Sequence, residues 1–191
     1  MAVRPPDPPL RDEAVALRPW NDRDVDAIVA ACQDPEISKW IPMVPHPYTR
    51  DDAREYLRSV KEGWREGTGT AFAITDAATG AVLGSIGLHL HRSDRRASVG
   101  YWLAKEARGR GVATRALRLI SQWALDALGV ERLELIAEPI NEASCAVAER
   151  AGFTREGVLR SYLPTPARGR RDVVIFSLLP GDENRDRARV P

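Results

Sequence analysis

The sequence predicts a single α/β layer fold built on a mixed sheet, and three observations carry that reading. Between 70 and 104, three successive segments ("TAFAITD", "AVLGSIGLHLHR", "RRASVGYWLA") follow a period of two. Two other segments, opening at Thr49 and near Arg110, carry apolar stripes at helical spacing. Strand-like runs then return after the second of these helices. Strands surrounding helices, with apolar residues available throughout, pack as helices layered on a sheet. A chain of 191 residues suits one such domain. We expect it over 12–180, with a Pro-rich flexible leader at 1–11 and a polar, Arg-rich tail at 181–191.

Composition narrows the function classes. The chain is 43% apolar and 29% charged, which is ordinary for a globular protein and too apolar for a disordered one. Twenty-eight basic residues against twenty-seven acidic ones leave a net charge of +1, which gives no argument for direct nucleic-acid binding. The N-terminal "MAVRPPDPPLRDE" lacks the apolar stretch of a signal peptide, and no window is apolar enough to span a bilayer. Cys32 and Cys145 are too few for a disulfide scaffold or a cysteine metal site, so both are expected as reduced thiols among apolar neighbours. The three histidines and scattered acids show no metal-ligand spacing. A cytoplasmic location is the expectation.

The elements follow in order. "EAVALRPW" at 13–20 alternates as a first strand, and Asn21 or Asp22 caps a helix carrying Val25, Ile28, Val29 and Cys32 on one face. Four prolines in "DPEISKWIPMVPHPY" predict mostly loop. Thr49 with Asp52 resembles a capping box and opens a helix with the stripe Ala53, Tyr56, Leu57, Val60 and Trp64. A hairpin around "AATG" and one further strand lead to a long helix over roughly 110–128, ended by Gly129. "ERLELIAE" is a strand, and "NEASCAVAERAG" a short helix capped by Asn141 and ended by Gly152. "GVLRSYL" and "RDVVIFSLL", joined by "PTPARG", complete a count of seven strands and four helices.

The segment with chemical content is "GYWLAKEARGRGVATRAL" at 100–117. A strand ends near Leu103 and a helix opens around Gly111 after a short turn. Gly109 and Gly111 permit a tight turn and leave their amides unobstructed by side chains. The first amides of a helix lack partners within it and form a cradle for an anion such as a pyrophosphate. Arg108 can add a charge-assisted contact. The absence of a "GK[ST]" ending excludes a P-loop, and the incomplete glycine pattern after the fourth strand excludes a dinucleotide fingerprint.

The run Arg108-Gly109-Arg110-Gly111-Val112-Ala113 matches the R/Q-x-x-G-x-G/A signature of the GCN5-related N-acetyltransferase (GNAT) superfamily. Gly100-Tyr101-Trp102-Leu103 before it and "ATRAL" after it resemble the branch that acetylates the N-termini of ribosomal proteins. Asn141 with Ser144 and then Gly152-Phe153 resembles the "N-x-x-S … G-F" block of the same branch, and "WIPMVPHPYTRDDAREYL" its substrate-side region. The resemblance covers nearly all of 13–179. It implies a mostly antiparallel sheet splayed near its middle, with the pantetheine arm of acetyl-CoA entering the gap beside 97–103. It further implies that Tyr101, Trp102 and Leu103 line the gap mainly through their backbone. The amides of 109–113 would take the pyrophosphate, Thr114 would add a hydroxyl, and Asn141 would hold the arm from its other side.

Attack of a neutral amine on a thioester needs a route for the amine's proton, an oxyanion donor and an acid for the departing thiolate. By resemblance the donor is a backbone amide near Leu103. The tyrosine that often serves as the acid, seven residues after the asparagine, is replaced here by Ala148, and Ser144 is the substitute. Ser144 reads equally as a helix-end hydroxyl. The branch's frequent glutamate two residues before the Gly-Tyr pair is Ser98 here. That leaves His89 as the leading candidate base, with His91 and Glu138 behind it and a water chain as a further route. Trp40 and Trp64 are candidate acceptor-site aromatics, with core packing as their alternative, and His91 is a further candidate at the acceptor site. A protein N-terminal α-amine is the expected acceptor. A small amine (polyamine, amino acid or aminoglycoside) and a non-catalytic acyl-CoA-binding module are the rivals. The expected assembly is a monomer or homodimer.

Overall fold

In the computed structural model, the described residues are 2–165 and 169–182. The expected tail therefore lies mostly outside them, as does the tip of the connection at 166–168. The sheet is built from β1 (Leu10–Arg11), β2 (Val15–Pro19), β3 (Gly69–Asp76), β4 (Val82–His91), β5 (Arg96–Leu103), β6 (Arg132–Ala137), β7 (Thr154–Thr165) and β8 (Gly169–Leu178). Among the described residues five α-helices accompany it: α1 (Val25–Cys32), α2 (Pro35–Trp40), α3 (Arg50–Glu66), α4 (Val112–Leu128) and α5 (Glu142–Arg150). The strand order is β1-β2-β3-β4-β5-β6-β8-β7. All neighbours are antiparallel except β5 and β6, which α4 connects as the crossover that a parallel pair requires.

The sheet is the mixed, mostly antiparallel one expected, with an eighth strand added by the leader. Leu10 pairs with Leu17 and Arg11 with Ala16. The leader is tied at a second point, because the amide of Val3 donates to the carbonyl of Trp64 at 3.0 Å and its side chain is buried. The second difference is α2, in the stretch expected to be mostly loop. Asp34 accepts from the Glu36 amide as N-cap and Pro35 occupies the first turn, where its missing N–H costs nothing. The prolines that do exclude helix, Pro42, Pro45 and Pro47, all follow it.

Period two in β3 distributes its side chains to two cores. Phe72 and Ile74 join Leu17, Ile86, Leu117, Ile120 and Leu133 on the face covered by α4. Ala73 faces the opposite way, into a second cluster with Trp20, Ile28, Tyr48, Ala53 and Leu57 from α1, α3 and the segments beside them. Burial on both faces explains why "TAFAIT" reads as nearly continuous apolar sequence. Trp64, at the end of α3, reaches the first cluster. Its ring stands edge-on to Phe72 at 5.2 Å and lies 6.0 Å from Trp123, while Phe72 and Trp123 are 5.4 Å apart. Such aromatic pairs contribute about 0.5–1.5 kcal/mol each beyond their area burial.

The feature that creates a site is the divergence of β5 from β6. They pair only from Arg96–Ser98 to Arg132–Glu134. Beyond that, β5 follows β4 as far as the Gly84–Leu103 pair, whereas β6 follows β8 as far as Ala137–Val174. Each strand stays with its antiparallel partner, so the sheet splays between them.

Candidate active site

Two cavities meet at the splay. One, of about 570 Å³, runs along the α4 N-terminus and is lined by Leu103, Arg108, Gly109, Gly111, Val112, Ala113 and Thr114. The other, of about 810 Å³, lies on the side of α1 and α3 and reaches His89, Ser98 and Glu138. Trp40, Ile41, Tyr101, Trp102, Asn141 and Ser144 line both. A molecule filling the first cavity and one filling the second would therefore touch at those residues.

The first cavity has the makings of an anion cradle. Gly111 is the N-cap of α4 with φ +75°, so no side chain caps the helix there. Gly109 has φ +72°, and a Cβ on either glycine would meet no protein atom within 4 Å. The left-handed backbone and the open space together account for glycine at both positions. The helix dipole favours negative charge at the same place. Arg108 differs from the expectation of a side chain free for an anion. Its Nη2 donates to the carbonyl of Leu103 at 3.0 Å and lies 2.7 Å from Asp34 Oδ2. Burial pushes the Asp34 carboxyl up, but the Glu36 amide and the Arg108 charge outweigh that and hold it below the ordinary range. Arg108 thus ties the end of β5 to the start of α2. Arg110 is exposed and turns toward the carbonyl of Glu106 at 3.5 Å, so its side chain is not part of the lining.

On the opposite side of the splay, Asn141 Oδ1 accepts from the Ser144 amide at 3.2 Å as the N-cap of α5. The Asn141 amide donates to the Glu138 carbonyl at 2.8 Å, which fixes the turn out of β6. The hydroxyl of Ser144 faces β5, where Tyr101 Oη donates to its Oγ at 3.2 Å. The sequence implies a role for Tyr101 mainly through its backbone, and the contact of its phenol with Ser144 is an addition to that expectation. Alternation along β5 gives no hint that a residue on it meets α5 across a gap.

The remaining candidates separate. His89 is exposed and lines the larger cavity, with its ring 4.8 Å from that of His91. His91 lies toward the closed end of the splay, its Nε2 3.4 Å from Ser98 Oγ, and lines a small recess with Arg92, Arg95 and Arg96 instead. Glu138 is 5% exposed and accepts from Arg171 Nε at 3.1 Å. Trp40 stands at the junction of the cavities, and its Nε1 donates to Glu36 Oε2 at 3.2 Å. Trp64 belongs to the aromatic core described above and lines neither cavity. Packing at the end of α3 sets it against Phe72 and Trp123 in the α4-side cluster. The larger cavity's other wall is organised by Tyr56, whose hydroxyl bonds Ser85 Oγ at 2.8 Å, and by Trp102, stacked on Trp20 at 6.2 Å. Among the described residues, no three His, Cys, Asp or Glu side chains gather as a metal set.

Comparison with known proteins agrees with this geometry. Residues 15–154 match the family described as "Acetyltransferase (GNAT) domain". The chain is 30% identical over 172 residues to an uncharacterized N-acetyltransferase, p20, of Bacillus licheniformis, covering 89% of this chain and 95% of that one. It is 31% identical over 173 residues to a Bacillus subtilis (strain 168) protein provisionally named ribosomal N-acetyltransferase YdaF, with 88% and 92% covered. The structure of Mycobacterium smegmatis RimJ in complex with CoA-disulfide superposes with a TM-score of 0.79 at 27% identity, covering 90% of this chain and 86% of that one. A match across most of the chain, on a sheet that opens beside an uncapped helix N-terminus, establishes that the protein belongs to the GNAT acetyltransferase family.

Proposed function

We propose that this chain transfers the acetyl group of acetyl-CoA to an amine, and that the amine is the N-terminus of a protein. The observation that carries the reading is the pair of cavities meeting at the splay, with Tyr101, Trp102, Asn141 and Ser144 common to both. The smaller cavity fits CoA. Its open glycines and uncapped helix amides suit a pyrophosphate, and the unpaired run of β5 beyond Ser98 offers backbone groups to an extended amide-bearing arm. Bound there, acetyl-CoA supplies an activated acetyl thioester.

The chain's own residues then divide the work. The backbone at the end of β5 is the candidate oxyanion donor. Ser144, held from behind by Asn141, is the candidate acid for the thiolate. His89 borders the acceptor cavity and is the candidate to take the amine's proton. Glu138 lines the same cavity and accepts from Arg171, which keeps it behind His89 as a candidate for that proton. The protein-N-terminus reading draws on the name of the Bacillus subtilis relative and on the RimJ likeness. A second reading has its own support: among the described residues the acceptor cavity is lined by Asp52 and Glu55, with Glu138 beside Arg171, and by no Lys or Arg, which favours a small polycationic amine.

The test is a panel of peptides with free α-amines, beside polyamines and aminoglycosides, each mixed with acetyl-CoA and read by mass and by thiol release. Peptide acetylation at the α-amine is the expected outcome. Turnover confined to polyamines or aminoglycosides would replace the acceptor. CoA binding without thiol release on any amine would reduce the protein to an acyl-CoA-binding module.

A further inference from the structure

Ser144 is gripped from two sides. Its amide donates to Asn141 Oδ1 at 3.2 Å, within α5, while its hydroxyl accepts from Tyr101 Oη at 3.2 Å, across the splay from β5. A serine hydroxyl has one hydrogen and two acceptor sites. With Tyr101 donating to the oxygen, the serine's own hydrogen must point elsewhere. Tyr101 and Ser144 both line the two cavities, so the open direction is the junction between them. Had Ser144 been only a helix-end hydroxyl, its oxygen would serve its own helix. Here the amide does that, and the hydroxyl is engaged by another element.

We infer that Tyr101 is a positioning residue for Ser144, aiming the serine hydroxyl at the departing sulfur and passing a proton to it as the serine gives up its own. The inference rests on the reading of Ser144 as the thiolate acid. Burial pushes the Tyr101 hydroxyl up, against a smaller opposing effect of the Ser144 bond, so the phenol stays protonated and available as a donor at neutral pH. In the step itself, the amine nitrogen forms a bond to the acetyl carbon and the carbon–sulfur bond breaks, its electron pair going to sulfur. Sulfur takes the proton from Ser144 Oγ, and the Tyr101 proton moves to Ser144 Oγ. The proton lost by the amine leaves through the acceptor cavity, and solvent restores the phenol by the same route. The products are an amide and a thiol, and both side chains end as they began.

The relation between the two side chains is tested by a double-mutant cycle on kcat, with CoA binding measured directly for each protein. Tyr101→Phe keeps the ring and its packing. It should lower kcat about 10-fold and leave the Kd for CoA within about 2-fold, as expected for a contribution to acid catalysis and not to binding. Ser144→Ala should lower kcat by at least as much. In the Ser144→Ala background, Tyr101→Phe should cost less than about 2-fold, because a residue acting through the serine has nothing left to act on. Ser144→Thr, which keeps a hydroxyl, should restore the sensitivity to Tyr101→Phe. If Ser144→Ala turns over normally, the acid reading of the serine fails. If Ser144→Ala is impaired but Tyr101→Phe costs the same factor in both backgrounds, the serine reading stands and the role of Tyr101 is overturned. An unchanged kcat in Tyr101→Phe alone overturns it as well.

Discussion

Replacing Gly111 with aspartate separates an anion cradle from an ordinary turn. The backbone there has φ +75°, so any side chain carries strain, roughly 1–2 kcal/mol for a left-handed L-residue. In a domain of this size that lowers the midpoint of thermal unfolding by about 2–8 °C. Gly80 supplies a matched control. Its φ is also +75° and its Cβ would also meet nothing within 4 Å, but it sits in the β3–β4 hairpin, away from both cavities. Gly80→Ala and Gly111→Ala should therefore lose similar stability. Binding should separate them. A carboxylate within ~5 Å of one phosphate charge, at an effective dielectric constant of ~20, costs about 3 kcal/mol. That is about 100-fold or more in Kd. Calorimetric titration with CoA should thus be unchanged for Gly80→Ala, weakened for Gly111→Ala and flat for Gly111→Asp, with the far-ultraviolet circular dichroism of all three retained. If Gly111→Asp bound CoA within a few-fold of the parent, the pyrophosphate would have to lie elsewhere, and the reading of the smaller cavity would go with it.

Two further outcomes follow from charges that the fold brings together. Asp34→Asn keeps a competent N-cap for α2 and removes the charge that neutralises Arg108. With an arginine about a third exposed, freeing it is worth roughly 0.5–1 kcal/mol, so CoA should bind about 2–5-fold tighter by titration; weaker binding would mean that the ion pair holds the cradle in shape. Glu156 hydrogen-bonds Arg132 and Ser177, which holds its carboxyl down at about 2, below an ordinary 4.5. Its contribution is therefore complete above about pH 4.5 and is lost as the pH falls toward 2. Urea midpoints at pH 6 and pH 3 should fall less with acidification for Glu156→Gln than for the parent. Because the group is over a third exposed, the difference should be modest, and an identical fall would deny the pair any share in acid stability.

The fold class was legible because it depends on periodicity, which is a local property. Period two over 70–104, helical stripes in α3 and α4, and the caps at Asn21, Thr49, Asn141 and Gly129 each specify conformation through near neighbours in the chain. Gly109 and Gly111 were readable for the same reason, since their left-handed backbone is a local demand. What composition concealed locally was α2, where the count of prolines outweighed the Asp34-Pro35 start signal. The rest depended on distance in the sequence. Trp64 was a candidate for the acceptor wall until tertiary packing set it against Trp123, fifty-nine positions later in the chain. Arg108 offered a charge for phosphate until Asp34 was brought within 2.7 Å of it. Tyr101 and Ser144 lie 43 residues apart and meet only because β5 and β6 part after three residue pairs, opening a gap that α5 borders. Residue type and near-neighbour spacing say which side chains can bind an anion, cap a helix or donate a proton. Which of them face one another was decided by the strand pairing, because contacts across the splay depend on where the β5–β6 ladder stops and carry no periodic signature in either strand.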